Sequence, residues 1–132
     1  MFYLLVCLLL AVILAYLSKA PVMMAMNQQG GYDNHHPRAQ QSQLTGFGVR
    51  AVAGHQNSFE ALIVFSIAVF ATIVTNDVTM TIKTLATVHL IARVIYHVLY
   101  LINWSTMRSL VWFIATLCAF WMLISAVMHT IA

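Results

Sequence analysis

The sequence predicts an all-α integral membrane protein, a four-helix bundle. Three observations carry this. Of the 132 residues, 62% are hydrophobic and only 7% are charged, against about 25% charged in soluble proteins. Four apolar runs approach the roughly 20 residues that an α-helix needs to cross about 30 Å of hydrocarbon. Only one stretch, Asn27 to Gln43, is soluble in character. At this length a single domain over residues 1–132 is expected.

The first run, about residues 2–26, joins Phe2–Leu17 to Ala20–Met26 across Ser18-Lys19. No basic residue precedes it and Lys19 follows its apolar part, which favours an uncleaved helix over a signal peptide. The connection at 27–47 follows, broken by Gly30-Gly31 and Pro37. The second, third and fourth spans are expected at about 48–74, 78–102 and 107–131. Arg38 and Arg50 lie in or beside the first connection and Arg108 just after the third. The positive-inside rule then makes those connections cytoplasmic and both termini external.

Six basic residues against Asp33, Glu60 and Asp77 give a net charge of +3. They are too scattered for a nucleic-acid surface, which needs a basic stripe. Cys7 and Cys118 each sit inside an apolar run and read as small buried hydrophobes. The adjacent His35-His36 pair lacks further ligands, so no metal is expected.

Two polar constellations stand out against this apolar background. At about 100° per residue, Asn57 projects about 20° from Arg50 and Glu60 about 80° from it on the same side. His55 points about 140° away. An Arg or Glu at membrane depth costs roughly 2.5–3.5 kcal/mol on insertion scales, so such groups usually face a protein interior at a functional place. The alternative is that Arg50 and Glu60 mark the water boundary of the helix. On the third span His89, Arg93, Tyr96, His97 and Tyr100 fall within one stripe about 100° wide. A lipid-facing stripe would leave polar groups in hydrocarbon, so it faces other helices or a wet cleft. Arg108 opens the fourth span at the same end. Arginine grips carboxylates, Asn57 matches an amide and Glu60 receives an ammonium group, a set suited to an anionic, peptide-like ligand. Interhelical polar glue is the competing explanation.

The order of elements resembles the MAPEG family, the membrane-associated proteins in eicosanoid and glutathione metabolism. Arg50-x6-Asn57-x2-Glu60 on the second span and Arg93-x2-Tyr96-x3-Tyr100 on the third carry the resemblance, which covers essentially the whole chain. Asp33-Asn34-x2-Pro37-Arg38 looks like bacterial members, implying an inner membrane. The resemblance implies a homotrimer with its second helices on the axis. It also implies glutathione bound between subunits by Arg50, Asn57, Glu60, Arg93, Tyr96 and Tyr100, with Arg108 beside the sulfur as the catalytic cation. The chain departs from the family's eicosanoid enzymes at Ala53 and Ala61, where those carry an arginine and a tyrosine, and Arg108 is displaced by about one residue. Arg38 is then the candidate replacement cation. The function implied is a glutathione-dependent transferase or peroxidase acting on a small hydrophobic electrophile from the bilayer. A non-enzymatic protein that binds a lipid or other anion, or uses these residues to cement a trimer, is the alternative.

Overall fold

A computed structural model of the chain describes residues 1–131, all helices and turns. The helices are α1 (Phe2–Leu17), α2 (Lys19–Gln28), α3 (Pro37–Ser42), α4 (Phe47–Val74), α5 (Met80–Leu101) and α6 (Ser105–His129). Taken together, α1 and α2 form one 27-residue span, and α4, α5 and α6 are the other three. The four-span reading holds, and the protein is a multi-pass membrane protein.

The break between α1 and α2 follows from Pro21, which has no N–H to meet the Leu17 carbonyl four residues back. Ser18 covers the gap. Its hydroxyl donates to the Ala15 carbonyl at 2.6 Å, so the His55 Nδ1–H donates to Ser18 Oγ at 2.8 Å, tying the break to α4. The connection at 27–47 is more ordered than its composition predicts, because Pro37 starts a helix where it would be expected to stop one. The Asp33 carboxylate accepts from the His35 and His36 N–H groups just before α3. These two bonds, that from His36 foremost, hold the Asp33 carboxyl below the usual carboxylate range. The Gln40 side-chain amide donates to the Met26 and Gly31 carbonyls, folding the loop back on α2.

Short turns close the other hairpins. Asn76 (φ 59°) follows α4 and Asn103 (φ 64°) follows α5, the left-handed position that asparagine tolerates after a helix. Thr79 caps α5 by accepting from the Ile82 N–H, so that helix begins two residues later than its apolar run suggests. At this end the buried Asp77 accepts from Ser125 at 2.5 Å, joining the α4–α5 turn to α6.

Small side chains set the packing. Ten of the 22 buried hydrophobic residues are alanine, while Leu, Ile, Phe and Trp side chains point outward in quantity. Lipid is as apolar as leucine, so helices in a bilayer gain by close backbone approach. The central element is α4, which touches every other helix. Its length of about 42 Å exceeds the hydrocarbon by about two turns. Counting 30 Å back from Val74 reaches about residue 54. With Val74 taken at one surface, Arg50 falls at the water boundary and Asn57 and Glu60 within about 10 Å of it.

Gly48 marks the tightest crossing. An added Cβ would meet Leu44 Cβ at 2.9 Å and Ala25 Cβ at 3.2 Å. Gly48→Ala is expected to lower the melting temperature in detergent. Overpacking costs about 1–3 kcal/mol, and this outweighs the roughly 1 kcal/mol gained in helix propensity. A raised melting point would show that α2 yields at this contact.

Candidate functional site

The polar residues gather where the N-terminus of α4, the C-terminus of α5 and the N-terminus of α6 meet. Arg93 is the most constrained of them, being only 5% exposed. One of its terminal nitrogens, Nη2, donates to Asn57 Oδ1 at 2.9 Å and to the Asn57 main-chain carbonyl at 3.2 Å. The Asn57 amide in turn donates to Glu60 Oε2 at 2.9 Å. Glu60 is exposed. Arg93 on α5 and Glu60 on α4 are thus linked through Asn57 and not by a direct ion pair.

The chain of contacts continues along α5. The Arg93 guanidinium lies over the Tyr96 ring at 4.2 Å, Tyr96 meets Tyr100 edge-on at 5.5 Å, and Arg108 covers Tyr100 at 4.3 Å. Cation–π contacts hold both guanidiniums over aromatic faces. Arg108 keeps its donors free of any hydrogen bond to the described residues. Asn57, Tyr96, Tyr100 and Arg108 line one open cleft of about 470 Å³ with Ser109, Trp112 and Phe113. Sequence reasoning missed these last three. Their spacing from Arg108 (one, four and five residues) was the available signal, a single face of α6.

Two sequence-predicted residues lie elsewhere. Arg50 donates from Nε to the Leu101 carbonyl at 3.3 Å. It thereby serves one of the unpaired carbonyls that end α5, where a positive charge is also favoured. It shares a face with Asn57 and Glu60, yet lies about 15 Å from Glu60 along the axis. Arg38 is brought not to this cleft but to a second, of about 540 Å³, with Lys19, Tyr32, His55 and Gln56. Residues 52, 55, 56 and 59 of α4 line that second cleft, and 57, 60, 61 and 64 face the other way. At 100° per residue the two sets stand about 140° apart.

The α5 histidines are interior residues. His89 Nδ1–H donates to the Ala115 carbonyl at 2.8 Å, and the ring stacks on Phe65 at 4.3 Å. His97 packs against Gly54, whose absent side chain leaves it room. No metal-holding cluster of His, Cys, Asp or Glu occurs among the described residues.

Since Asn57 is the partner of a buried charge and Glu60 is exposed, their removal should differ. Asn57→Ala is expected to cost about 1–3 kcal/mol by removing Oδ1, the closer of the two acceptors of Arg93, while the main-chain carbonyl remains. Glu60→Ala should cost under about 1 kcal/mol. Thermal melts of the two variants in one detergent check this, and equal losses would place Glu60 in a buried interface.

No curated protein and no solved structure matches the chain. The MAPEG family model matches residues 3–128. That match spans all four membrane helices and both clefts. The chain belongs to the MAPEG family.

Proposed function

We propose that the protein is a homotrimeric, glutathione-dependent transferase or peroxidase that acts on small hydrophobic electrophiles at the membrane. The observation that carries this reading is the cleft around Arg108. A guanidinium with free donors stands beside two tyrosines, next to Asn57 and within reach of hydrocarbon. Arg108 is positioned to hold a sulfur as its thiolate, and the Tyr96 or Tyr100 hydroxyl to donate to it. Glu60, exposed at the rim, suits an ammonium group, and Asn57 remains oriented by Arg93. The bound thiol then supplies the nucleophile for attack on an electrophilic carbon or a peroxide oxygen.

Charge count supports the trimer. Glutathione carries two carboxylates and, when ionised, a thiolate, whereas the Arg108 cleft contributes one uncommitted cation. Lys19 and Arg38 lie in the cleft on the opposite face of α4. A head-to-tail contact in a closed ring sets one face of a copy against the other face of the next. Such a ring brings Arg38 and Lys19 to the Arg108 cleft of a neighbour. The family resemblance supports three copies, with the polar end in the cytoplasm of a bacterial inner membrane and both termini outside. Within this reading Arg50 supports the site by fastening α4 to the end of α5.

One observation favours a second reading. Arg93, Asn57 and Glu60 already satisfy one another, as interhelical glue would. Arg108 separates the two. Arg108→Ala is expected to lower glutathione-dependent turnover by about 30- to 1,000-fold, for a loss of about 2–4 kcal/mol of thiolate stabilisation. Native mass spectrometry should show trimers for both wild type and variant. Bound glutathione should also ionise at lower pH than in solution, visible as thiolate absorbance. A wild type without glutathione binding and without turnover would establish the structural reading.

A further inference from the structure

A small cavity lies where α1, α4 and α5 meet, and it shares no lining residue with either cleft. Small side chains make the space: Ala11 and Ala15, one turn apart on α1, and Ala61 on α4. Leucines from all three helices close it. Into this apolar setting come three polar side chains, Ser58, His89 and Arg93. They are only 7%, 3% and 5% exposed. Each keeps hydrogen-bonding capacity that the protein does not use. His89 Nδ1–H donates to the Ala115 carbonyl, so in the neutral ring Nε2 carries a lone pair, and no described residue donates to it. The Ser58 hydroxyl donates to the Gly54 carbonyl at 2.9 Å, which leaves its oxygen as an acceptor. Arg93 bonds Asn57 through Nη2 alone, and its Nε and Nη1 donate to no described residue.

We infer that this cavity is a binding site for one water molecule, which ties His89 and Ser58 to Arg93. Size fits: the cavity measures about 10 Å³, and one water needs roughly 10–15 Å³. Valence fits as well. The water accepts an N–H from Arg93, donates one O–H to His89 Nε2 and donates the other to Ser58 Oγ. That makes three bonds, the usual number for a buried water. Cavities that stay dry are apolar, and this one is not. The charges exclude ions, since Arg93 repels a cation and an anion would meet two acceptors in His89 and Ser58. Through this bridge His89 becomes a positioning residue. Asn57 holds one terminal nitrogen of the guanidinium, the Tyr96 ring lies against the ion, and the water restrains a further N–H. Helix α1 contributes only walls, so its alanines can be enlarged without touching a polar partner. The inference does not depend on which ligand enters the Arg108 cleft.

The test is solid-state NMR of the full chain in lipid nanodiscs, with isotope-labelled nitrogen in the histidine and arginine side chains. The His89 signals are those that vanish in His89→Gln. In the wild type, magnetisation should pass from water protons to His89 Nε2. Ala15→Val, whose added methyl groups occupy the cavity, should abolish that transfer. The Arg93 Nε signal should shift in the same variant, while those of Arg38 and Arg50 stay in place. Ala11→Val fills the same cavity and serves if Ala15→Val does not assemble. Ser58→Ala should weaken the transfer and lower the melting temperature, although alanine is the better helix former. Absence of transfer to Nε2 in the wild type, or transfer that survives the filling variants, overturns the proposal. So does a Ser58→Ala protein that melts at or above the wild-type temperature, the behaviour of a dry cavity.

Discussion

Arg93 is a guanidinium placed between membrane helices, and the polar end of the bundle is organised by the need to satisfy it. Two of its neighbours come from one residue, the Asn57 side chain and main-chain carbonyl, so α4 and α5 are registered against each other at that level. The ion lies over the Tyr96 ring, and Tyr100 and Arg108 extend the same run of contacts to α6. Three helices thereby acquire a common depth through one buried charge. Any ligand that enters the cleft meets donors already aligned, which is the condition for strong electrostatic effects at a developing charge.

Around this fixed point the rest of the interior is made of small residues. Alanines and the glycines at 48 and 54 let helices approach closely, while large apolar side chains face lipid. This arrangement also separates function along α4. One face carries Asn57 into the Arg108 cleft with Glu60 beside it, and the face about 140° away carries His55 and Gln56 toward Arg38 and Lys19. A single helix so divided needs a neighbour on each side to use both faces.

Much of this was legible in the sequence, and the limits have physical causes. Length and hydropathy located the spans because a bilayer imposes them. Angular periodicity found the α5 stripe, since helix geometry alone determines which side chains share a face. Depth was less legible. Arg50 and Glu60 were grouped by angle, yet the boundary lies between them, because α4 is longer than the membrane is thick. The bridge from Arg93 through the Asn57 amide to Glu60 is not legible either, since it depends on how α4 and α5 meet. Arg38 was visible only as a cation, since its placement depends on how Gln40 and Pro37 fold the loop. The α6 side of the cleft escaped notice because Trp112 and Phe113 are indistinguishable, as letters, from lipid-facing aromatics.

The same buried stripe bears on how the protein is made. Its three interior polar groups, His89, Arg93 and His97, give α5 a mean hydropathy of 1.4, against 1.9 to 2.3 for the other spans. It is the segment that partitions into a bilayer least readily by itself. Because α4 is synthesised earlier and carries Asn57, the acceptor for Arg93 is already at membrane depth when α5 emerges. Insertion of α5 as a hairpin with α4 removes the cost of presenting a bare guanidinium to hydrocarbon. The short turn through Asn76 and Asp77 keeps the two helices side by side from the outset. Topogenesis and the architecture of the cleft therefore draw on the same residues.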